Sequence, residues 1–259
     1  MSELSVGIDG PVATVTLERP DKRNALGPDQ LRELGETMTE LGQDPSVRVI
    51  VLGGAGSAFS AGADLEWMRA SADMPPELNE AGTVAMQAAY EAVDTCPKAV
   101  VARVHGPAIG GGAGLVACAD VAIASEAARF GFAESRLGLV PAVVSPYVLR
   151  KIGPGHARAL FTTGRMFGAD EAYRIGLVHR VVADGALDAA VSDTVRDLLA
   201  AGPEAIAACK RLVREATTSL ALPDLPERIA AARASSEGVQ GVAAFLAKEE
   251  PPWRRSDDS

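Results

Sequence analysis

Three consecutive glycines, Gly110-Gly111-Gly112, follow an apolar run from Ala99 to Val104 and a Gly106-Pro107 turn, and lead into a second apolar stretch that ends near Ala119. The pattern predicts a strand, a tight turn and a helix whose first backbone N–H groups are unscreened by side chains. Such a terminus receives anions, because its leading amides lack intrahelical acceptors. A second glycine-rich turn, Gly53 to Asp64, follows another strand that reads as buried. Two bare donors, one from each turn, would clamp a single developing oxyanion.

Two rival chemistries fail on spacing. Gly106-x-x-x-Gly110-x-Gly112 has the look of a dinucleotide fingerprint, and Tyr147-x-x-x-Lys151 that of a Tyr/Lys dehydrogenase pair. A dinucleotide turn belongs after the first strand of its fold, whereas this one lies mid-chain. The Tyr/Lys pair then follows too soon for the intervening βα units, and Asp120 precedes its strand rather than ending it. A phosphate-binding Gly-x-x-x-x-Gly-Lys-Ser/Thr run does not occur.

The elements that must position these turns read as alternating strands and helices. Strands are predicted over Val12–Glu18, Val47–Leu52, Lys98–Val104, Asp120–Ala124 and Leu177–Val182. Helices are predicted from Pro28 (Leu31, Leu34, Met38 and Leu41 on one face), over Asp64–Arg69, Asn79–Asp94, Ser145–Ile152, Pro154–Thr162 and Ala169–Ile175. From Leu187 onward only helices are expected, broken at Gly202-Pro203, Pro223–Pro226 and Gly238. The expectation is an α/β core over residues 1–190 carrying the site, with a helical module over 191–259.

Composition narrows the class. The 259 residues carry a formal net charge of −9, which leaves little for nucleic-acid phosphates. Three cysteines, Cys96, Cys118 and Cys209, have no metal-ligand spacing, and with an odd count they suit a reduced cytoplasm. The N-terminus lacks the basic and apolar regions of a signal peptide. The weakly charged run Val104–Ala119 falls short of membrane length. No metal, nucleic-acid or membrane partner is expected, and His105, His156 and His179 read as structural.

The turns resemble those of the enoyl-CoA hydratase/isomerase (crotonase) family. The matching segments are Arg19–Leu26, Ala58–Leu65, Gly110-Gly111-Gly112, Phe130-Gly131-Phe132-Ala133-Glu134 and Gly176-Leu177-Val178, in the family's order and spacing. The resemblance implies a spiral core of ββα turns, a C-terminal helical trimerisation module, and a homotrimer or dimer of trimers. It also implies an acyl-CoA substrate, with no cofactor beyond the CoA of that substrate. Mapped onto this chain it makes the amides of Ala63 and Gly111 the oxyanion donors and Glu134 the acid/base. It places CoA along Arg23, Ala25, Leu26, Ala61, Asp64 and Leu65, with Gly110, Gly114 and Pro141 at the acyl end. Phe245 and Lys248 near the C-terminus would reach the adenine or ribose phosphate, in this or a neighbouring subunit.

The chain departs from the family pattern at one point. Family hydratases commonly carry a second glutamate three residues after the middle glycine; here that position is Gly114. One carboxyl group serves a 3,2-enoyl-CoA isomerase as it stands, and a hydratase if a water is also positioned. A non-catalytic thioester binder is the reading from another class. Glu134 itself either titrates in a closed apolar site or is a surface carboxylate paired with Arg129 or Arg136. Residues 110–120 and 136–148, with Ala63–Met68, resemble members acting on methylglutaconyl-CoA, which suggests hydration of a branched or carboxylated acyl group. Ser145 and Tyr147 either meet a polar acyl end or simply cap a helix and pack the core.

Overall fold

The computed structural model describes residues 2–72, 74–218 and 225–254. In chain order the elements are β1 (Leu4–Asp9), β2 (Val12–Leu17), α1 (Pro28–Gln43), β3 (Val49–Gly54), α2 (Leu65–Ala72), α3 (Pro76–Thr95) and β4 (Ala99–Val104). Then come β5 (Ala108–Ile109), α4 (Gly111–Cys118), β6 (Val121–Ser125), β7 (Arg129–Gly131), α5 (Ser145–Thr163), β8 (Met166–Gly168), α6 (Ala169–Arg174) and β9 (Arg180–Val182). Four helices follow: α7 (Leu187–Ala200), α8 (Pro203–Thr218), α9 (Leu225–Ala234) and α10 (Ser236–Ala247).

The main sheet has six strands in the order β1-β2-β3-β4-β6-β9. The β1–β2 pair is antiparallel and the remaining pairs are parallel. Period-two alternation divides each central strand between two cores. Ile50, Leu52, Val100, Ala102, Ala122 and Ala124 join the larger core with α1, α3 and α4. Val49, Val51, Ala99, Val101 and Ile123 meet Leu187, Ala190 and Val191 of α7. Burial on both faces explains why these strands read as unbroken apolar runs. The expected division at residue 190 thus falls inside a helix that covers the sheet.

A second sheet, β5-β7-β8, is built from two- and three-residue strands, too short to show any periodicity. Strand β1 is absent from the sequence expectations although Leu4, Val6 and Ile8 alternate; of its residues only Leu4 is buried, so pairing with β2 holds it. The expected strand at Leu177–Val182 starts at Arg180, because Gly176 turns at φ +83° and the two residues after it close the turn. The helix break falls at Ser235, whose hydroxyl caps Gly238 N at 3.0 Å, and not at Gly238, which lies inside α10 against the carbonyl of Ala232. The break expected at Pro223 lies outside the described residues; Pro226 opens α9. Gly153, at φ +73°, divides α5 where the sequence predicts two helices.

Candidate active site

Three loops meet at the start of α4. The first is the turn after β2, where Arg23 and Asn24 adopt left-handed backbone at φ 51° and 54°. Asn24 is fully buried. Its Nδ2 donates to the carbonyls of Ala55 (2.9 Å) and Ala58 (2.8 Å), and its Oδ1 accepts from Arg19 N (2.9 Å). Ser60 Oγ donates to Asn24 O at 2.8 Å and accepts from Gly62 N at 3.2 Å. The first turn is thereby bound to the second.

The second turn then pairs with Leu26. Leu26 N donates to Gly62 O (2.7 Å) and Asp64 N donates to Leu26 O (3.1 Å). Successive peptide groups in extended chain point opposite ways, so the amide of Ala63, between these two bonds, faces away from Leu26. Gly62, at φ +92°, makes the approach to the third loop possible. A Cβ there would lie 2.7 Å from Ile109 O and 3.7 Å from Gly111 N. Gly111 heads α4, and Gly110 N is spent on Gly131 O at 2.7 Å. Among the described residues, no acceptor takes the amide of Ala63 or of Gly111. Two free donors, one at a helix N-terminus, thus lie on loops that the close approach at Gly62 brings together.

Glu134 follows β7 and opens a short 3-10 turn, Glu134–Leu137. Its Oε1 lies 2.9 Å from where a Cβ on Gly110 would stand, so Gly110, at φ +51°, makes room for the carboxyl group. Its Oε2 is buried with no hydrogen-bond partner. Burial pushes the Glu134 pKa up, partly countered by its own amide. Arg129 donates to the carbonyls of Glu126, Ala127 and Ala128, and Arg136 Nε to Thr163 O. Glu134 is therefore an unpaired, half-buried carboxyl group at the head of α4 and not a surface ion pair.

Gly114 has a packing reason for lacking a side chain. A Cβ there would overlap Val144 Cγ1, lie 2.8 Å from Val144 Cβ and 3.2 Å from Tyr90 Cε1. Val144 and Tyr90, both buried, fill the space a larger residue would need. Val144 belongs to the bulky segment after Pro141 that the sequence marks as reshaping the acyl pocket; Tyr90 is not marked there, and its standing alone as an aromatic group on the alanine-rich α3 is the one signal it leaves.

The other expected site residues are placed unevenly. Leu26 is buried, with Cδ1 3.1 Å from the Cβ position of Gly111. Arg23 and Leu65 are exposed and Ala25, Ala61 and Pro141 half-buried. Asp64 is committed to the fold: Oδ2 takes Arg19 Nη2 at 2.7 Å, and Oδ1 accepts the amides of Glu66 (2.9 Å) and Trp67 (3.3 Å) at the start of α2. A carboxylate so occupied holds the turn. Ser145 Oγ donates to Ala142 O at 2.8 Å and makes no capping hydrogen bond to α5. Tyr147 is buried, with its ring 6.2 Å from that of Tyr90 and under Arg150. Phe245 and Lys248 project from the end of α10, which packs on α9 and Trp253, and are not in the group around Glu134.

Two of the three histidines, His105 and His179, and Lys151 have structural partners. His105 Nε2 pairs with Gly56 O (3.0 Å), His179 Nδ1 accepts from Ala122 N (2.9 Å), and Lys151 Nζ donates to Ala119 O (2.7 Å). No group of three His, Cys, Asp or Glu side chains that could hold a metal occurs among the described residues. No helix among them is long and apolar enough to cross a membrane.

The chain is similar along most of its length to known proteins. A family model described as enoyl-CoA hydratase/isomerase matches residues 7–256. The chain belongs to the enoyl-CoA hydratase/isomerase family. A crotonyl-CoA hydratase of Syntrophomonas wolfei is 33% identical over 242 residues, covering 92% of each chain. An enoyl-CoA hydratase of Alternaria alternata is 36% identical over 238 residues, 89% of this chain and 77% of its own. The crystal structure of an enoyl-CoA hydratase from Shewanella pealeana superposes with a TM-score of 0.93 at 36% identity, covering 97% of this chain and 96% of the other. Within this family the chain has the crotonase fold, with its C-terminal helices present.

Proposed function

We propose that the protein adds water to, or removes it from, an enoyl-CoA thioester, using Glu134 as acid/base and the amides of Ala63 and Gly111 as oxyanion donors. The observation that carries this reading is the packing together of two loops with unbonded amides, Ala63 and Gly111, near a half-buried carboxyl group whose Oε2 has no hydrogen-bond partner. Water oxygen bonds to the β-carbon while Glu134 takes its proton. The π electrons move onto the thioester oxygen, where the two amides hold the enolate. Glu134 then returns the proton to the α-carbon, so no proton is left over. Each preformed donor contributes about 2.7–4 kcal/mol to such a step.

Crotonase-type activity follows from the family, and the hydratase names among the relatives support water addition over double-bond migration. The acyl group that the sequence favours is branched or carboxylated, such as 3-methylglutaconyl. CoA would run past exposed Arg23 and Leu65. Assembly as a trimer or dimer of trimers is supported by apolar surface that one chain leaves uncovered on α10, where Phe245 is 81% and Leu246 76% exposed.

The test is turnover of crotonyl-CoA, 3-methylglutaconyl-CoA and a 3-enoyl-CoA, reading water addition against double-bond migration. Hydration that falls at least 100-fold in Glu134→Gln, with CoA-ester binding kept, supports the reading. Migration without hydration makes the protein an isomerase, and binding without turnover makes it a thioester carrier. Either result ends the hydratase reading.

A further inference from the structure

We propose that the hydroxyl of Tyr90 is the second polar group of the site, donating a hydrogen bond to the water that Glu134 activates. This rests on the reading of Glu134 given above.

Tyr90 is fully buried on α3, and its Oη has no hydrogen-bond partner. A buried hydroxyl left unpaired carries a desolvation cost that a phenylalanine filling the same space would avoid. The ring is well held: it stacks on Tyr147, and its Cε1 lies 3.2 Å from the Cβ position of Gly114. Packing therefore accounts for the ring and not for the hydroxyl.

The place of that hydroxyl is informative. Oη lies 2.5 Å from where a Cβ on Gly111 would stand, and Glu134 Oε1 lies 2.9 Å from the corresponding position on Gly110. The two groups thus flank the Gly110–Gly111 peptide. Both Oη and Glu134 Oε2 are buried and unpaired, and the hydroxyl feels the carboxylate's charge. Neither Gly110, Gly111 nor Gly114 offers a side chain here, and a larger residue at 111 or 114 would strike Tyr90 itself.

Chemistry restricts the role. Burial raises the phenol's pKa, so Tyr90 stays neutral throughout the working range. It is a donor that does not give up its proton. A donor on one side of a water and a carboxylate on the other fix that water's orientation: the O–H of Tyr90 engages one lone pair, Glu134 accepts a proton, and the remaining lone pair attacks the β-carbon. The proton balance stays as written for Glu134 alone.

The test compares wild type, Glu134→Gln and Tyr90→Phe. Tyr90→Phe keeps the ring and deletes only Oη. The expected result is a melting temperature at or above wild type, hydration kcat down 10- to 100-fold, KM changed less than 3-fold, and an unchanged ultraviolet band for the enolate of bound acetoacetyl-CoA. That band depends on the oxyanion donors and needs no water. Unchanged kcat in Tyr90→Phe, with Glu134→Gln inactive, leaves Glu134 standing and overturns the role of Tyr90. Loss of the enolate band along with kcat makes Tyr90 an oxyanion donor and also overturns it. A lower melting temperature with equal losses in kcat and enolate band assigns the residue to packing. Failure of wild type to hydrate any of the esters overturns the reading of Glu134 first.

Discussion

Gly114→Ala tests the packing that shapes the head of α4. In an exposed helix interior this substitution would stabilise by about 1 kcal/mol, because alanine restricts the unfolded chain and favours helix. Here the new methyl overlaps Val144 Cγ1, comes within 2.8 Å of Val144 Cβ and 3.2 Å of Tyr90 Cε1. Carbon atoms rest about 3.5–4.0 Å apart, and both neighbours are buried. Relief must come from moving backbone or side chain, at a cost of about 1–3 kcal/mol for overpacking. The expected net loss, after the gain of about 1 kcal/mol is set against that cost, is about 0–2 kcal/mol. Val144→Ala alone removes two buried carbons and leaves a cavity, costing about 2 kcal/mol. In the double variant the Cγ1 overlap is gone, and the 2.8 Å contact with Val144 Cβ and the 3.2 Å contact with Tyr90 Cε1 remain to be relaxed. The two changes should then couple favourably by about 1 kcal/mol or more. Urea unfolding of the four proteins, with equal slopes, measures this. Effects that add within about 0.5 kcal/mol, or a stabilised Gly114→Ala, would refute the claim that Val144 and Tyr90 exclude a side chain at 114.

Four further outcomes follow from the geometry. The acid limb of kcat/KM for hydration should lie above the 4.5 of an ordinary glutamate, because burial raises the Glu134 pKa and the base form is lost as pH falls through it; a limb at or below that value contradicts the closed site. Asp64→Asn should cost about 1–3 kcal/mol in a denaturant melt, since it removes the charge facing Arg19, which keeps Glu3 and the Ala25 carbonyl as partners, and weakens the cap on α2. For His179, burial together with the nearby Lys151 charge pulls the pKa down to about 4 from 6.5. Its contribution to stability is therefore present above about 6.5 and lost as pH falls toward about 4; His179→Gln should flatten the fall in melting temperature across that window. Phe245→Glu should shift sedimentation toward the monomer if the uncovered face of α10 joins subunits.

Much of the site was legible because its parts are local. The free amide of Gly111 follows from a strand, a Gly-Pro turn and a glycine run within a dozen residues of each other. The amide of Ala63 belongs to one turn, and Glu134 to one motif after Phe130-Gly131. Asp64 was legible as a residue of the turn, but its structural role was not. Its partner Arg19 lies on another turn, and only the crossing of those turns occupies both its oxygens. The capping role open to Ser145 is not taken up, because its hydroxyl turns back to Ala142 within the same loop.

The alternation of apolar strands with amphipathic helices was enough by itself to determine an α/β core, since burial on two faces of a parallel sheet and one face of a helix leaves period and composition behind in the chain. Glycine at 62, 110 and 111 likewise determined where bare backbone donors would stand. Only the folded chain decided what surrounds them. Tyr90 comes from α3 and Val144 from the start of α5, and neither residue's neighbours in sequence point toward Gly114. Side-chain packing between distant elements has no periodicity to read; it exists once the elements are docked, and that docking turned an absent side chain at 114 into a filled space with one unpaired hydroxyl at its edge.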